Sequence, residues 1–166
     1  MSKIKNSENE TDELAMVNRA QIEHRALWMG LIYDELKKEG LDAEGITRRA
    51  IKRCGNFHGE LFKKDCSDPR NLEKFKEVFP PSLAVRSFNM HPIEADMDNL
   101  RIEFHYCALV SAWKKLGFDD ETCDLLCDIA MEGDRGIAEA MGYKLSLTDT
   151  IAKGCASCKL HFYKLV

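Results

Sequence analysis

The chain has 166 residues, 45% of them apolar and 31% charged, and a net charge of -4. That length supports one domain with a sizeable core, and the composition is ordinary for a globular protein. Mild acidity without a long basic run speaks against nucleic-acid binding. No apolar run approaches the ~18 residues of a membrane span, and the polar start lacks a signal peptide's apolar stretch.

A cytoplasmic protein is therefore expected, with its thiols kept reduced. The seven cysteines are then core residues, ligands or nucleophiles rather than a disulfide framework. The densest basic patch, Arg48, Arg49, Lys52 and Arg53, falls within one helical stretch and reads as a solvated face.

In chain order, residues 1–12 read as a flexible lead-in and 13–166 as a single domain. Helical spacing over 14–38 runs through Ala20, Leu27, Leu31 and Leu36, with Ile22, Met29 and Ile32 beside them, and Gly40 caps the end. A helix over 43–54 stops at Gly55, and a short one follows over 59–64. Asp68 and Pro69 open a helix through 79, which Pro80 and Pro81 end.

Val85, Phe88, Met90 and Ile93 precede a turn-rich tetrapeptide at 96–99, and strict alternation follows over 100–107. This predicts a β-hairpin with one buried face. Helical character returns over 108–116, and Asp119 or Asp120 caps a further helix through 141. Residues 144–150 and 159–165 alternate again and pair across Gly154. The expected fold class is α+β, with helices packed on a small antiparallel sheet built from two hairpins and a mostly helical N-terminal half. Trp28 and Trp113 read as core residues, and Cys66 as a structural thiol.

Several thiols stand beside ionisable groups. On a strand, Glu103, His105 and Cys107 share a face, and a histidine near a cysteine stabilises the reactive thiolate. Cys123 and Cys127 share a helix face, with Asp134 seven residues on from Cys127. If the helix breaks near Gly133, Asp134 is an N-cap instead. Cys54 and His58 have ligand spacing, but Gly55 lies between them and interrupts the helix. Cys155 and Cys158 form one C-x-x-C leading into a strand, which supports neither a zinc ribbon nor a thioredoxin-like site.

The chain resembles the L-2-amino-thiazoline-4-carboxylic acid hydrolase family. The runs that carry the resemblance are His-Arg-Ala-Leu-Trp at 24–28, Arg-Cys-Gly-Asn-Phe-His-Gly at 53–59, Glu-Phe-His-Tyr-Cys at 103–107 and Ala-Trp-Lys-Lys-Leu-Gly at 112–117. They continue with Leu-Cys-Asp-Ile-Ala-Met-Glu-Gly-Asp-Arg-Gly at 126–136 and Thr-Ile-Ala-Lys-Gly at 150–154 with Cys158. The resemblance implies helices on an antiparallel sheet and a hydrolase that opens a C–N bond of a cyclic amidine to give a carbamoyl-cysteine. Cys107, Cys127, Asp128, Asp134 and Cys158 fall on the family's polar pattern. Cys155 stands where that pattern often has an acidic residue.

The roles expected from this are as follows. Cys107 is the nucleophile with His105 as proton partner, or else His105 or Asp134 activates water. Asp128 or Glu132 holds the amidinium and Arg135 the substrate carboxylate. Cys127, Cys158, Cys54 and His58 complete the binding wall. No cofactor is expected. The rivals are a zinc or other divalent-metal site formed by Cys107, Cys127, Cys158 and His105, and a small-molecule binding domain without turnover. The partner is a small-molecule substrate, not nucleic acid or membrane, and self-association is left open.

Overall fold

The computed structural model describes residues 2–7 and 12–165. Two long helices, α1 (Glu13–Lys38) and α2 (Ala43–Asp65), are followed by the short α3 (Leu72–Phe75) and α4 (Ser82–Ser87). The hairpin β1 (Met90–Ala95) and β2 (Asn99–Phe104) leads into α5 (Ala108–Lys115), α6 (Asp120–Ala130) and α7 (Glu132–Met141). The chain closes with β3 (Lys144–Leu147), a 3-10 turn at Ile151–Lys153, and β4 (Cys158–Tyr163). The sheet order is β1-β2-β4-β3 and every pairing is antiparallel. This is the expected α+β class, with the two hairpins joined through β2 and β4. Among the described residues, no helix is long and apolar enough to cross a membrane.

The core has two parts. On the sheet side, Leu100, Ile102, Leu160 and Phe162 pack with Phe75, Phe79, Ile137 and Met141. On the helix side, Ala26 and Tyr33 pack with Trp113, Leu126 and Ile129. Trp113 is buried as expected, and its indole N–H donates to the Ala26 carbonyl at 3.0 Å. Cys66 is also in the core.

Several expectations are corrected. The buried stripe of α1 is Ala15, Arg19, Ile22, Ala26, Gly30 and Tyr33. Leu31, Ile32 and Trp28 face outward, Trp28 with 63% of its surface exposed. Large apolar residues surround this helix, so closeness of approach selects the inner face. A methyl group at Gly30 would fall 3.1 Å from both Trp113 and Phe118.

Gly55 does not end a helix, and α2 runs unbroken through it and through Gly59. Both glycines are pressed against α7. A methyl group at Gly55 would fall 2.0 Å from the Gly133 carbonyl oxygen, and one at Gly136 would fall 2.6 Å from the Lys52 carbonyl oxygen. The missing side chains let two backbones touch, which is worth more here than the ~1 kcal/mol of helix propensity lost at each glycine.

The helix expected over 69–79 shrinks to α3, capped by Asn71, and Val85 belongs to α4 rather than to a strand. The helix expected over 119–141 is two helices that meet at Met131. Of the expected lead-in, residues 1 and 8–11 lie outside the described residues, whereas residues 2–7 lie against the body. Ile4 packs on both parts of the core.

Candidate functional site

The corner between β2 and α5 gathers more of the chain's distinctive chemistry than any other described place. The strand ends at Phe104, and the next residues are tied to the loop before β1. The His105 N–H donates to the Asn89 carbonyl at 3.1 Å and the Tyr106 N–H to the Phe88 carbonyl at 3.1 Å. Asn89 turns the chain there with a φ of 50°. Cys107 then caps α5 in extended conformation. A helix start has amides without internal partners, and these favour negative charge.

Cys107 is half-buried and packs against both parts of the core. Burial pushes its thiol up, while the Leu109 and Val110 amides at the helix start pull it down. The sulfur makes no full capping hydrogen bond to them. Two further thiols share this seam between the core halves. Burial raises Cys127, on α6, well above the usual thiol range, and the sulfurs of Cys107 and Cys158 push it further. Burial and the neighbouring Cys107 raise Cys158, at the start of β4, to about 12. The Cys158 sulfur accepts the Ile151 N–H at 3.2 Å. Three elements far apart in sequence thus bring three sulfurs together; Cys107 stands at the start of α5, and the Cys158 sulfur meets the first amide of the 3-10 turn.

His105 does not pair with Cys107. Its Nε2 lies 2.7 Å from the His91 carbonyl and 3.9 Å from Glu103, and its ring rests on His91 at 4.2 Å. Glu103 in turn accepts a hydrogen bond from Ser157. Neither the strand alternation nor the shared face extends to Cys107, because the strand has already ended. Among the described residues, no group of three or more His, Cys, Asp or Glu side chains is arranged to hold a metal ion. The set Cys107, Cys127, Cys158 and His105 is accordingly not drawn into one ligand shell.

Asp134 lies in the first turn of α7 and is not its N-cap. It is three and four residues before the core residues Ile137 and Ala138, so it shares their inward face. Burial raises its carboxyl to about 6, against the opposing pull of Arg25 and Arg135.

The remaining candidates lie elsewhere. Asp128, Glu132 and Arg135 form a network with Arg48 of α2. Asp128 meets Arg48 and Arg135 at 2.6 Å each, and Glu132 meets Arg135 at 2.7 Å. These charges neutralise one another. Cys54 and His58 are exposed on the outer face of α2, with the His58 ring against Phe57.

The sequence reading missed the N-terminal segment. Asn6 bridges the backbone of Cys107: its amide donates to the Cys107 carbonyl and its oxygen accepts the Cys107 N–H, both at 2.9 Å. Asp120 anchors the start of the segment, accepting from the Ser2 hydroxyl and the Lys3 N–H at 2.6 Å each. No local pattern announces such contacts, because they join residues more than a hundred positions apart.

Beside this corner is a cavity of about 400 Å³, lined by Lys5, Ser7, Arg19, Asn89, His105 and Tyr106 among others. Its size is within the roughly 300–1,000 Å³ of small-molecule sites.

Comparison with known proteins gives one family. The family model described as L-2-amino-thiazoline-4-carboxylic acid hydrolase matches residues 19–162. No curated protein matches the chain.

Proposed function

The chain belongs to the L-2-amino-thiazoline-4-carboxylic acid hydrolase family, and from that premise we propose that it hydrolyses a five-membered cyclic amidine that carries a carboxylate, with Cys107 as nucleophile. The observation that carries this reading is the position of Cys107 as the cap of α5, with the Leu109 and Val110 amides acting on its sulfur. Burial keeps the resting group a thiol, and the helix start stabilises the thiolate as it forms.

The reaction then has two halves. The Cys107 sulfur bonds to the amidine carbon, and a ring bond to that carbon breaks. An alkylamine has a pKa of about 10 and a thiol about 8.5, so the ring sulfur is the better leaving group. This differs from the C–N scission expected from the sequence. The ring opens at its C–S bond, the departing sulfur takes a proton, and the substrate is held on Cys107 as an S-linked amidine. Water then adds to the same carbon and the bond to Cys107 breaks. The nitrogen stays in a carbamoyl group, one water is consumed and the enzyme thiol is restored.

Asp134 is the proton carrier in this reading. A carboxyl that titrates near 6 is matched to proton transfer near neutral pH. The buried thiols of Cys127 and Cys158 stay protonated and form an uncharged wall, and Cys107 is the sulfur at the start of an α-helix.

The test is incubation with 2-amino-thiazoline-4-carboxylate, following the new thiol with a thiol reagent and the protein mass after acid quench. One thiol released per turnover and an adduct on Cys107 are expected. Cys107→Ser is expected to lose more than about a thousandfold in turnover, the scale on which a nucleophile is missed. Turnover at the wild-type rate in that variant would sink the covalent route. Release of an amine without a thiol would return the break to the C–N bond.

A further inference from the structure

The cavity beside the β2–α5 corner has a property that the reaction centre lacks. Two of its lining side chains, Lys5 and Arg19, are cationic, and none of the described lining residues is acidic. Arg19 is buried and fixed: its Nε donates to the Ser87 carbonyl at 2.7 Å, and its guanidinium lies 4.0 Å over the Tyr106 ring. Lys5 is exposed, and among the described residues no carboxylate pairs with it. An exposed, extendable cation on a small cavity attracts an anion of carboxylate size.

Lys5 is held there by its neighbours. In an extended segment alternate residues share a side. Ile4 and Asn6 face the body, Ile4 against both core halves and Asn6 on the Cys107 backbone. Lys5 and Ser7 line the cavity. Upstream, Lys3 lies against Gly154, where a methyl group would fall 3.1 Å from its Cβ. Gly154 has a φ of 90°, so its left-handed turn and its missing side chain both make room for the segment. The segment is therefore a fixed wall of the cavity, and the family match begins only at residue 19.

We infer that residues 2–7 complete the substrate pocket and that Lys5 binds the substrate's carboxylate, making it a specificity-determining residue supplied from outside the matched family region. This rests on the cyclic-amidine reading for the identity of the substrate. It reassigns carboxylate recognition from Arg135, whose guanidinium is engaged by Asp128 and Glu132. Asn6 is a positioning residue, because it fixes both the segment and the backbone of Cys107.

Two probes separate this inference from the proposed reaction. Thiazolidine-4-carboxylate has the ring and the carboxylate but no amidine to hydrolyse, and thiazolidine lacks the carboxylate as well. By calorimetry, wild type is expected to bind the carboxylate probe at least about tenfold more tightly than thiazolidine, the scale of one charge-assisted contact. Lys5→Gln should bring that ratio close to one. Because Lys5 is exposed, the variant should keep the wild-type melting temperature. On the amidine substrate, Lys5→Gln should raise KM about tenfold with kcat within about twofold, the pattern of lost uniform binding.

Asn6→Ala should lower kcat as well, since it also releases the Cys107 backbone. If wild type binds the carboxylate probe through Lys5 yet hydrolyses nothing, the pocket stands and the reaction reading falls. If hydrolysis is seen and Lys5→Gln keeps the wild-type carboxylate preference and KM, the inference is overturned. Failure of wild type to bind the carboxylate probe would overturn it too.

Discussion

Between α2 and α7, charged side chains meet one another and backbones touch, whereas beside the β2–α5 corner the groups that gather are buried thiols. In the first region Asp128, Glu132, Arg48 and Arg135 cancel, and Gly55 and Gly136 bring the two helices into contact. In the second, burial pushes up Cys107, Cys127 and Cys158, the last two further by neighbouring sulfurs; on the inward face of α7, burial raises Asp134 to about 6. Both regions draw on the run 126–136, which alternates between them. Cys127 turns to the thiols, Asp128 to the ion network, Gly133 to α2 and Asp134 inward. One short segment thus serves as scaffold on one side and as chemistry on the other. Composition alone does not tell the two apart. What separates them is whether burial or an opposite charge governs each polar group.

The sharpest way to break this contrast is at the helix contact. Gly55→Ala gains helix propensity of about 1 kcal/mol, yet its methyl group would fall 2.0 Å from the Gly133 carbonyl oxygen. That obstacle is backbone, which cannot rotate away as a side chain would. A net loss of about 3 kcal/mol is expected, measured by denaturant titration. A neutral or stabilised variant would mean that the helices are not pressed together.

Asp134→Asn probes the inward face of α7, with opposite signs for stability and turnover. Its native carboxyl is raised from 3.8 to about 6, so between those values the folded chain holds a proton that the unfolded chain releases. The stability tied to this group is full below about pH 4 and lost as pH rises through 6. Since Asp134 is only half-buried, the loss is discounted to about 1–2 kcal/mol. The asparagine variant should therefore be more stable than wild type at pH 7 by about that amount, and the gain should vanish near pH 4. Turnover should fall about a hundredfold or more, the usual scale for a lost acid–base group. Wild-type turnover should itself decline as pH drops through 6. A variant that keeps its activity would make Asp134 a scaffold residue.

Alternation and turn residues made both hairpins legible in the sequence, Gly40 marked the end of α1, and Asp119 the start of α6. The misread features share a physical cause: their meaning depends on a distant partner. Gly55 looks like a helix stop until Gly133 and Gly136 are known to lie against it. The inner face of α1 is hidden because apolar residues surround the helix, and only the proximity of Trp113 and Phe118 explains why Gly30 faces in. The family resemblance groups the three thiols, whereas local spacing alone does not join them, because the start of α5, α6 and β4 meet only in the fold. Residues 2–7 are polar and short and have the composition of a loose end. Their order comes from Asp120 and the Cys107 backbone, contacts that no local window contains.

Arg135 gives the smallest expected effect and the clearest boundary between the regions. Partial burial alone would raise Asp128, but Arg135 and Arg48 hold its carboxyl below the usual carboxylate range. Its contribution to stability is therefore present above about pH 4 and is lost as pH falls below that. Arg135→Met removes one of the two cations on Asp128 and leaves Arg48 at 2.6 Å, so the carboxylate keeps a partner. The side chains are partly solvated, and pairs of that kind contribute up to about 1 kcal/mol. The variant should lose no more than that at pH 7, and its stability should fall less steeply with acid than wild type. Turnover and KM should stay within about twofold, since an ion network that satisfies itself has no charge to offer a ligand. A tenfold rise in KM for the carboxylate substrate would move recognition back to Arg135 and make the α2–α7 side part of the site.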